Sequence, residues 1–530
     1  MTPEGPRRAA PLPHVRRSAL LFLLLTAAAA AAPRPAASRE ARRDTRMREE
    51  ENRLRVGGAL PLTAREAEAN ERLVAIKEAE WACWSENAAF PPSLHFFRAK
   101  RFIDASHVFR VLKDMPKGGA LHVHNPAIRT VQWLLEVTYR PHCYACFTPA
   151  GHLRFRFAHP GPPAPPTEAC SDWVLLARFR EQLQNVTEFD EGVLRNMTLE
   201  TEEPEKAYPD QAVVWERFNG IFRTLSGLVR YAPVFREYFA GALKEFYDDN
   251  VQYMELRTML TPIYELDGQD HDEEWLLQIY QNITQEFIED HPDFIGFKII
   301  VTKQRTHSVE KINASLQSTM DLWAKFPDLV AGFDLVGQED KGQALWELKD
   351  VLTPRSSGGF TLPYFFHAGE TNWHGTDVDE NLLDALHLNT SRIGHGFALA
   401  RHPVAQKEAL RRDVPVEVCP ISNQVLKLVS DMRNHPAASL MAAGQPMVIS
   451  SDDPALFGAR GLSYDFYEAF MGIGGGRADL RTLKQLALNS LKYSALLPEE
   501  RANAQRLWQK KWDHFVEVLA NDTEIPDCLD

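Results

Sequence analysis

The sequence predicts an α/β protein whose core is a closed barrel of eight parallel strands. Eight short runs rich in β-branched and aromatic residues follow one another after residue 117. Helix-like stretches such as Glu274–Glu289 and Ser308–Lys325 lie between most of these runs. Polar side chains able to bind a metal ion stand at the ends of several runs. Strands that alternate with helices indicate parallel βα units, and eight such units form a (β/α)8, TIM-type barrel.

The predicted strands are, in order, Gly119–His124, Val251–Met259, Ile295–Val301, Val330–Val336, Tyr364–His367, Arg392–His395, Val416–Cys419 and Met447–Ser450. The interval between the first and the second is far longer than the later ones, so we expect an insertion after strand one. Residues 137–200 are predicted to form this small exposed module. It contains a Pro-rich loop and three cysteines, of which Cys146 and Cys170 are the preferred disulfide, although spacing alone does not fix the pairing.

The N-terminus is typical of a secretory signal peptide. Arginines 7, 8, 16 and 17 precede an uncharged run, Ala19–Ala32, which is shorter than the roughly 20 residues needed to span a bilayer. We therefore expect residues 1–32, approximately, to be removed. No later run is long and apolar enough to span a membrane.

Residues 33–110 are rich in Arg, Glu, Ala and Leu and predict a helical arm ahead of the barrel. Such an arm has no evident purpose within the chain, so we expect it to form a homodimer; a simple solvated helix is the alternative. The barrel then begins in residues 111–136 and continues through residues 201–520.

The chain has 530 residues and a formal net charge of −13, which argues against nucleic acid as a general partner. Behind a signal peptide, Asn-x-Ser/Thr sequons support passage through the secretory pathway. We expect an extracellular protein, with a share in lysosomes. The six candidate glycosylation sites are Asn185, Asn196, Asn282, Asn313, Asn389 and Asn521.

His122 and His124 end the first predicted strand, in KGGALHVHN. Side-chain direction repeats every two residues along a strand, so both imidazoles project from one face. Such a pair binds a metal ion or, alternatively, forms hydrogen bonds at the edge of the core.

Two further motifs follow later strands. His367 ends the fifth run, in HAGE, and Glu370 on the following turn can reach past a metal ion toward a substrate. His395 lies between Gly394 and Gly396, which leave room for its ring to approach a ligand. Taken alone, His395 is better explained by a structural hydrogen bond.

Asp452 and Asp453 follow the last run, in SSDDP. Paired carboxylates at the end of a buried strand are costly unless a cation compensates them. Successive strand residues face opposite directions, so we expect one carboxylate to contact a metal ion and the other a substrate. Capping of the next helix explains at most one of them.

These motifs in this order, HxH, DLVG, HAGE, GHG and SSDDP, resemble the adenosine/AMP deaminase family of metal-dependent barrels. With its signal peptide, helical arm and insertion, the chain resembles the secreted branch of that family, the adenosine deaminase-related growth factors. The resemblance covers roughly Arg98 to the C-terminus. It implies hydrolytic deamination of adenosine and 2′-deoxyadenosine to inosine and 2′-deoxyinosine.

The resemblance also implies one Zn²⁺ per subunit, with the ligands His122, His124, His367 and Asp452. Glu370 would protonate purine N1, and His395 would orient and deprotonate the attacking water. Asp453 would hydrogen bond to N7, and the backbone of Gly337 would meet N3. The chemistry agrees, because zinc lowers the pKa of water toward about 7 and an acid beside a ring nitrogen makes C6 electrophilic.

Further substrate contacts are less directly indicated. Trp215, Phe218 and Phe222 share one helical face, a pattern usually due to core packing, and the resemblance suggests that they also cover the nucleoside. Gln304 faces either the ligand or solvent. The family has Asp directly after HxH, where it contacts the ribose; this chain has Asn125, which keeps hydrogen-bonding capacity but loses the negative charge.

Other functions compete with this one. A related hydrolase could act on AMP or another purine, although a signal peptide argues against cytosolic AMP metabolism. A cytidine-deaminase zinc site is disfavoured because Cys143-x-x-Cys146 lacks a preceding H-x-E and the motif Pro-Cys-x-x-Cys. From another class, the chain could be a secreted ligand with weak or altered deaminase activity, whose inserted module binds a cell-surface receptor or proteoglycan.

Overall fold

The computed structural model describes residues 35–87, 90–149, 151–163, 170, 172–353 and 361–523. The predicted signal peptide lies outside these residues. The chain divides into two compact units, Met1–Glu50 and Glu51–Asp530, and the packing described below lies within the second. Among the helices described, none is long and apolar enough to cross a membrane.

The strands are β1 Gly118–His124, β2 Cys143–Phe147, β3 Leu153–Phe157, β4 Val174–Leu175, β5 Val251–Thr258, β6 Ile263–Tyr264, β7 Asp270–His271, β8 Gly296–Gln304, β9 Val330–Val336, β10 His367–Ala368, β11 Ile393–His395, β12 Val416–Val418 and β13 Met447–Ile449. Eight of them match the eight predicted strands, with differences at their ends. Within the barrel these strands are almost entirely buried, because a parallel sheet is covered on both faces.

The helices are α1 Pro35–Leu54, α2 Ala64–Asn87, α3 Phe96–Ala105, α4 His107–Asp114, α5 Val131–Val137, α6 Leu176–Glu181, α7 Val186–Arg195, α8 Pro204–Ala207, α9 Gln211–Val229, α10 Ala232–Asp248, α11 Glu273–Asp290, α12 Val309–Lys325, α13 Lys349–Leu352, α14 Asn381–His387, α15 Pro403–Arg412, α16 Pro420–Val425, α17 Ala437–Ala442, α18 Ser463–Tyr467, α19 Leu480–Lys492 and α20 Pro498–Asn521.

The barrel consists of two four-stranded parallel half-sheets joined at both edges. One half has the order β1, β5, β8, β9 and the other β10, β11, β12, β13. Isolated bridges join Phe333 to Tyr364 and Val123 to Asp452. At the second junction, His124 N–H donates to the Asp452 carbonyl and Asp452 N–H donates to the His122 carbonyl, both at 3.0 Å. Closure therefore places the HxH and SSDDP motifs side by side.

The strand predicted at Tyr364–His367 is shorter in the structure and covers only His367–Ala368. Tyr364 takes part in a single bridge, and the Phe366 N–H donates to the Thr390 hydroxyl at 3.1 Å instead of to a neighbouring strand. A side chain thus interrupts the ladder that the sequence pattern predicts.

The insertion after β1 has a small antiparallel sheet of its own. β2 pairs with β3 on one side and with β4 on the other. The Cys146–Cys170 disulfide is present, as predicted. Helix α9 packs closely on β3: the Thr224 hydroxyl donates to the Leu153 carbonyl at 2.8 Å, and a Cβ on Gly227 would lie 1.9 Å from the Phe155 carbonyl oxygen.

Helix α2 packs within its own chain. The expectation that the N-terminal arm has no purpose within the chain is therefore wrong for this helix. Leu73 and Ile76 on α2 are fully buried, as are Trp508 and Trp512 on α20, against which α2 packs. The Trp512 indole N–H donates to the Glu66 carboxylate at 2.7 Å. Most of the predicted arm region therefore belongs to the core around the barrel.

Candidate active site

Five side chains converge where the barrel strands end. They are His122 and His124 of β1, His367 of β10, His395 of β11 and Asp452 after β13. The Nε2 atoms of His122 and His124 are 3.2 Å apart, and Asp452 Oδ1 lies 3.4 and 3.1 Å from them. Potential ligand atoms of His122, His367, His395 and Asp452 all lie within 4.8 Å of one another. A cluster of imidazoles and one carboxylate at this spacing can hold one divalent ion.

Buried carboxylates orient two of these histidines. His122 Nδ1 is 2.6 Å from Glu417 Oε2, and His367 Nδ1 is 2.6 Å from Asp334 Oδ2. Because an ionised carboxylate only accepts, each ring donates its Nδ1–H and presents a free Nε2 to the centre. Arg257 joins the two carboxylates, at 2.8 Å from Asp334 and 2.7 Å from Glu417. Carboxylates that hold histidine rings in this way are typical of metal sites, where they fix the orientation of the ligand rings.

The electrostatics keep these outer carboxylates ionised. Burial alone raises the pKa of Glu417, but Arg257 and Arg392 outweigh it and hold that pKa well below its usual value. Arg392 Nε approaches Glu417 Oε1 at 2.5 Å. A network of paired, hydrogen-bonded charges of this kind is how ionised groups persist in a barrel interior.

The pKa of Glu370 is shifted in the opposite direction. Burial, followed by the neighbouring Asp452 and Glu339 carboxylates, raises the pKa of Glu370 well above its usual value. Glu339 accepts the backbone N–H groups of Gly369 at 3.1 Å and Glu370 at 2.7 Å, and it accepts from the Asn381 amide at 2.7 Å. The Glu370 backbone is therefore fixed, and its side chain is suited to donate a proton.

Two site residues have backbone conformations that few side chains adopt. His395 has φ 56° and Asp452 has φ 58°, in the left-handed region, at a cost of about 1–3 kcal/mol each. Gly394 allows close approach, since a Cβ there would lie 3.0 Å from His367 Cα and 3.2 Å from His122 Cε1. Strained backbone and close contact together direct the side chains into the cluster.

A cavity of about 80 Å³ reaches this cluster and shares Asn125, Phe222, Gln304 and Gly337 with an adjoining cavity of about 810 Å³. The structure brings every predicted substrate-binding and catalytic residue to the first cavity. The predicted residues that line it are Asn125, Trp215, Phe218, Phe222, Gln304, Gly337, Glu370, His395 and Asp453, with the ligand candidates His124, His367 and Asp452.

Polar and aromatic features of the cavity suit a flat, nitrogen-rich ring. Asp453 Oδ1 and Asn125 Oδ1 are buried and have no hydrogen-bond partner among the described residues. Burial, together with Asp452, raises the pKa of Asp453 well above its usual value. Trp215 and Phe218, in edge-to-face contact at 5.2 Å, pack in the core and also border the cavity. That they cover a nucleoside stays a prediction.

Sequence reasoning missed the outer layer of the site. Asp334, Glu417, Arg257 and Arg392 are fully buried, and Asn423 contacts His395 through its side chain. A signal was present, because a charged residue inside a buried apolar strand, such as Glu417 in VEV, requires a partner. Its partner lies on another strand, which the sequence alone does not specify.

Most of the predicted glycosylation sites are accessible. Asn185, Asn282, Asn313, Asn389 and Asn521 are exposed. Asn196 is half-buried, and its amide donates to the Gly192 carbonyl at 2.9 Å.

Comparison with known proteins agrees with this geometry. The adenosine deaminase family model matches residues 191–508, and the adenosine/AMP deaminase N-terminal model matches residues 19–112. The chain is 57% identical to adenosine deaminase 2 of Homo sapiens, over 89% of this chain and 92% of that protein. It is 53% identical to adenosine deaminase 2-A of Danio rerio, over 87% and 91%.

A solved amidohydrolase from Burkhoderia ambifaria with bound zinc has the same fold, with a TM-score of 0.54 and 16% identity over 78% of this chain and 95% of that one.

Proposed function

The chain belongs to the adenosine deaminase family, and we propose that it hydrolyses adenosine and 2′-deoxyadenosine to inosine and 2′-deoxyinosine with release of ammonia. The observation that carries this proposal is one cavity in which a candidate metal cluster, a buried carboxyl group and an aromatic wall meet. A metal ion in the cluster would activate water, the carboxyl group can donate a proton to a purine nitrogen, and the aromatic wall can pack against a flat ring.

We propose that one Zn²⁺ is held by His122, His124, His367 and Asp452. The donor set supports this choice, because imidazole nitrogens with one carboxylate oxygen suit zinc. The carboxylate partners on Nδ1 of His122 and His367 leave Nε2 free to coordinate. When bound, the ion supplies water activation, since it lowers the pKa of water toward about 7.

The remaining groups are proposed to bind and polarise the purine. Glu370 donates a proton to N1, which makes C6 more electrophilic, and Asp453 hydrogen bonds to N7 through an oxygen that otherwise has no described partner. The backbone of Gly337 is open at the cavity wall, since a Cβ there would meet nothing within 4 Å. This backbone contacts purine N3. Asn125 hydrogen bonds to the ribose.

The test follows the ultraviolet spectrum of adenosine with purified protein, and chromatography identifies the product. We expect conversion to inosine, loss of activity after zinc is chelated, and recovery when zinc is restored. Adenosine that persists after zinc is restored would refute the proposal.

We further propose that the protein is secreted after removal of residues 1–32, is N-glycosylated and forms a homodimer. The exposed sequons support glycosylation. The described side chains of α1, residues 43–54, are all exposed, which favours this helix over α2 as the dimerising element. Deletion of residues 33–55 should therefore give a monomer in sedimentation, whereas a dimer that persists would exclude α1.

The inserted module is proposed to bind a cell-surface receptor or proteoglycan. Phe147 on β2 is 61% exposed, which provides an apolar contact outside the core. Glu370→Gln separates this role from catalysis, because a pure binding function predicts unchanged cell responses.

A further inference from the structure

His395 is close enough to the metal cluster to become an additional ligand. Its ring nitrogen belongs to the group of potential ligand atoms within 4.8 Å of one another, and its Nε2 lies 3.8 Å from Asp452 Oδ2. A catalytic zinc site keeps one coordination position open for the reaction. A further imidazole in that position would block it, so the protonation of His395 Nε2 matters.

A chain of hydrogen bonds determines which nitrogen of His395 carries the proton. Its fixed end is the backbone N–H of Ala437, which donates to His435 Nδ1 at 3.0 Å. His435 Nδ1 therefore bears no hydrogen, and the neutral ring carries its proton on Nε2. That N–H donates to Asn423 Oδ1 at 2.9 Å. The Asn423 amide must then present Nδ2, which donates to His395 Nδ1 at 3.0 Å.

Only one assignment of donors and acceptors is consistent along these hydrogen bonds. Because His395 Nδ1 accepts from Asn423, the neutral His395 ring carries its proton on Nε2, facing the cluster. The reverse arrangement would place two N–H donors against each other at Ala437 and His435. Glu370 does not compete for this nitrogen, since its Oε1 is 3.8 Å from His395 Nδ1, beyond hydrogen-bond range.

Burial reinforces the chain. His435 and His395 are 2% exposed and Asn423 is fully buried, so water does not replace these hydrogen bonds. Burial lowers the pKa of His435 to about 3, which keeps that ring neutral at physiological pH.

We infer that Asn423 and His435 are positioning residues that hold His395 in its Nε2–H form, which excludes this imidazole from the metal and aims an N–H donor at the attacking water. The inference rests on the proposed metal site. It replaces the expectation that His395 removes a proton from the water: in the resting protein His395 orients the nucleophile as a donor.

Nuclear magnetic resonance of ring-¹⁵N-labelled histidine tests the tautomer directly in the metal-free protein at neutral pH. The His395 signals, assigned by their loss in His395→Asn, should show a protonated Nε2 and an unprotonated Nδ1. A protonated Nδ1 would overturn the inference. The measurement needs no catalytic activity, so its failure is distinct from failure of the proposed function, which would appear as wild-type protein inactive on adenosine with zinc.

The substitution Asn423→Asp tests whether the tautomer of His395 keeps this ring off the metal. A carboxylate only accepts, so His395 Nδ1 must donate and Nε2 becomes free to coordinate. We expect the visible spectrum of the Co²⁺-loaded variant to differ from wild type, and its zinc-loaded activity to fall by about 10–100-fold, as for other outer-shell changes. His435→Gln, whose amide N–H still donates to Asn423, should keep the wild-type cobalt spectrum.

The matched control is Asn489→Asp, the same exchange at a buried amide that donates to the Met447 carbonyl at the start of β13. It should leave the cobalt spectrum unchanged. A wild-type spectrum for Asn423→Asp would overturn the inference. If Asn423→Asp does not fold, the tautomer measurement on the wild type still decides.

Discussion

At the scale of single residues, neighbouring carboxyl groups have pKa values shifted in opposite directions. Burial would raise the pKa of Asp452, but hydrogen bonds from His122 and His124 hold it well below its usual value. Burial and the adjacent Asp452 charge raise the pKa values of Glu370 and Asp453. Environments that separate such pKa values support the proposed roles: Asp452 as an anionic ligand, and Glu370 and Asp453 as hydrogen-bond donors to a purine.

The role of Glu370 predicts a large loss of activity in Glu370→Gln. An amide has the same shape but cannot transfer a proton, so kcat should fall by roughly 10²–10⁴-fold, the usual contribution of general acid–base catalysis. Steady-state kinetics with adenosine measures this effect. The exposed Glu347→Gln is the control, and retained zinc in Glu370→Gln excludes loss of the metal site. Activity within a few fold of wild type would contradict the assignment.

The pairing of His367 with Asp334 predicts weaker metal binding in Asp334→Asn. The amide no longer accepts a charge-assisted hydrogen bond from Nδ1, so zinc affinity should fall by about 10–100-fold. Competition with a chromogenic chelator measures the affinity, and Asp328→Asn, at an exposed position, is the control. Unchanged affinity would show that Asp334 serves only to pair with Arg257.

At this scale the sequence predicted the groups that gather at the candidate site, and it missed those that orient them. His122 and His124 form a local pattern, and HAGE and SSDDP place their polar groups directly after strands. Asp334 and Glu417 act across strands, through Arg257 and the histidine rings, and no local spacing encodes such contacts.

At the scale of elements, helix α9 links the inserted module to the cavity. Its residues Trp215 and Phe218 border the cavity, while Gly227 near its C-terminus lies against β3 of the insertion. The module therefore supports the helix that covers the site. The long interval between the first two predicted strands predicted the insertion but not this contact, because docking of a helix on a sheet depends on the fit of surfaces that are distant in sequence.

This contact predicts that Gly227→Ala weakens substrate binding. The new Cβ would lie 1.9 Å from the Phe155 carbonyl oxygen, so α9 must shift away from β3 and carry its aromatic residues with it. We expect KM for adenosine to rise by several fold, with a smaller change in kcat. Gly192→Ala on α7 is the control, because its Cβ would meet only the flexible end of Arg195 at 3.6 Å. A wild-type KM in Gly227→Ala would show that the contact between α9 and β3 does not affect substrate binding.

At the scale of the whole molecule, barrel closure makes the site. The HxH and SSDDP motifs are more than 300 residues apart in sequence, yet backbone hydrogen bonds between the first and last strands of the barrel join them. Eight alternating strand and helix patterns were enough to predict the closed barrel. The packing of α2 on α20 was not predicted, since charged and apolar residues in α2 do not reveal which surface its apolar face covers.

Buried neutral histidines predict how stability depends on pH. The folded-state pKa of His435 is about 3, below its ordinary value of 6.5, so the unfolded chain binds more protons in this range. The free energy of unfolding therefore rises with pH between about 3 and 6.5 and is flat above, with up to about 1.4 kcal/mol per pH unit from one histidine. Urea denaturation at pH 5 and pH 7 measures how much the free energy of unfolding changes between the two pH values. This change should be smaller for His435→Gln than for wild type. Equal differences would show that His435 is not the titrating group.

Titration of zinc into the metal-free protein, with inosine formation from adenosine as the readout, tests the central claim most directly. Three histidines and one aspartate holding a single ion predict no activity without metal, a linear rise on addition of zinc, and a plateau at one equivalent per chain. Activity that is independent of zinc, that saturates only at two equivalents, or that never appears would contradict this account.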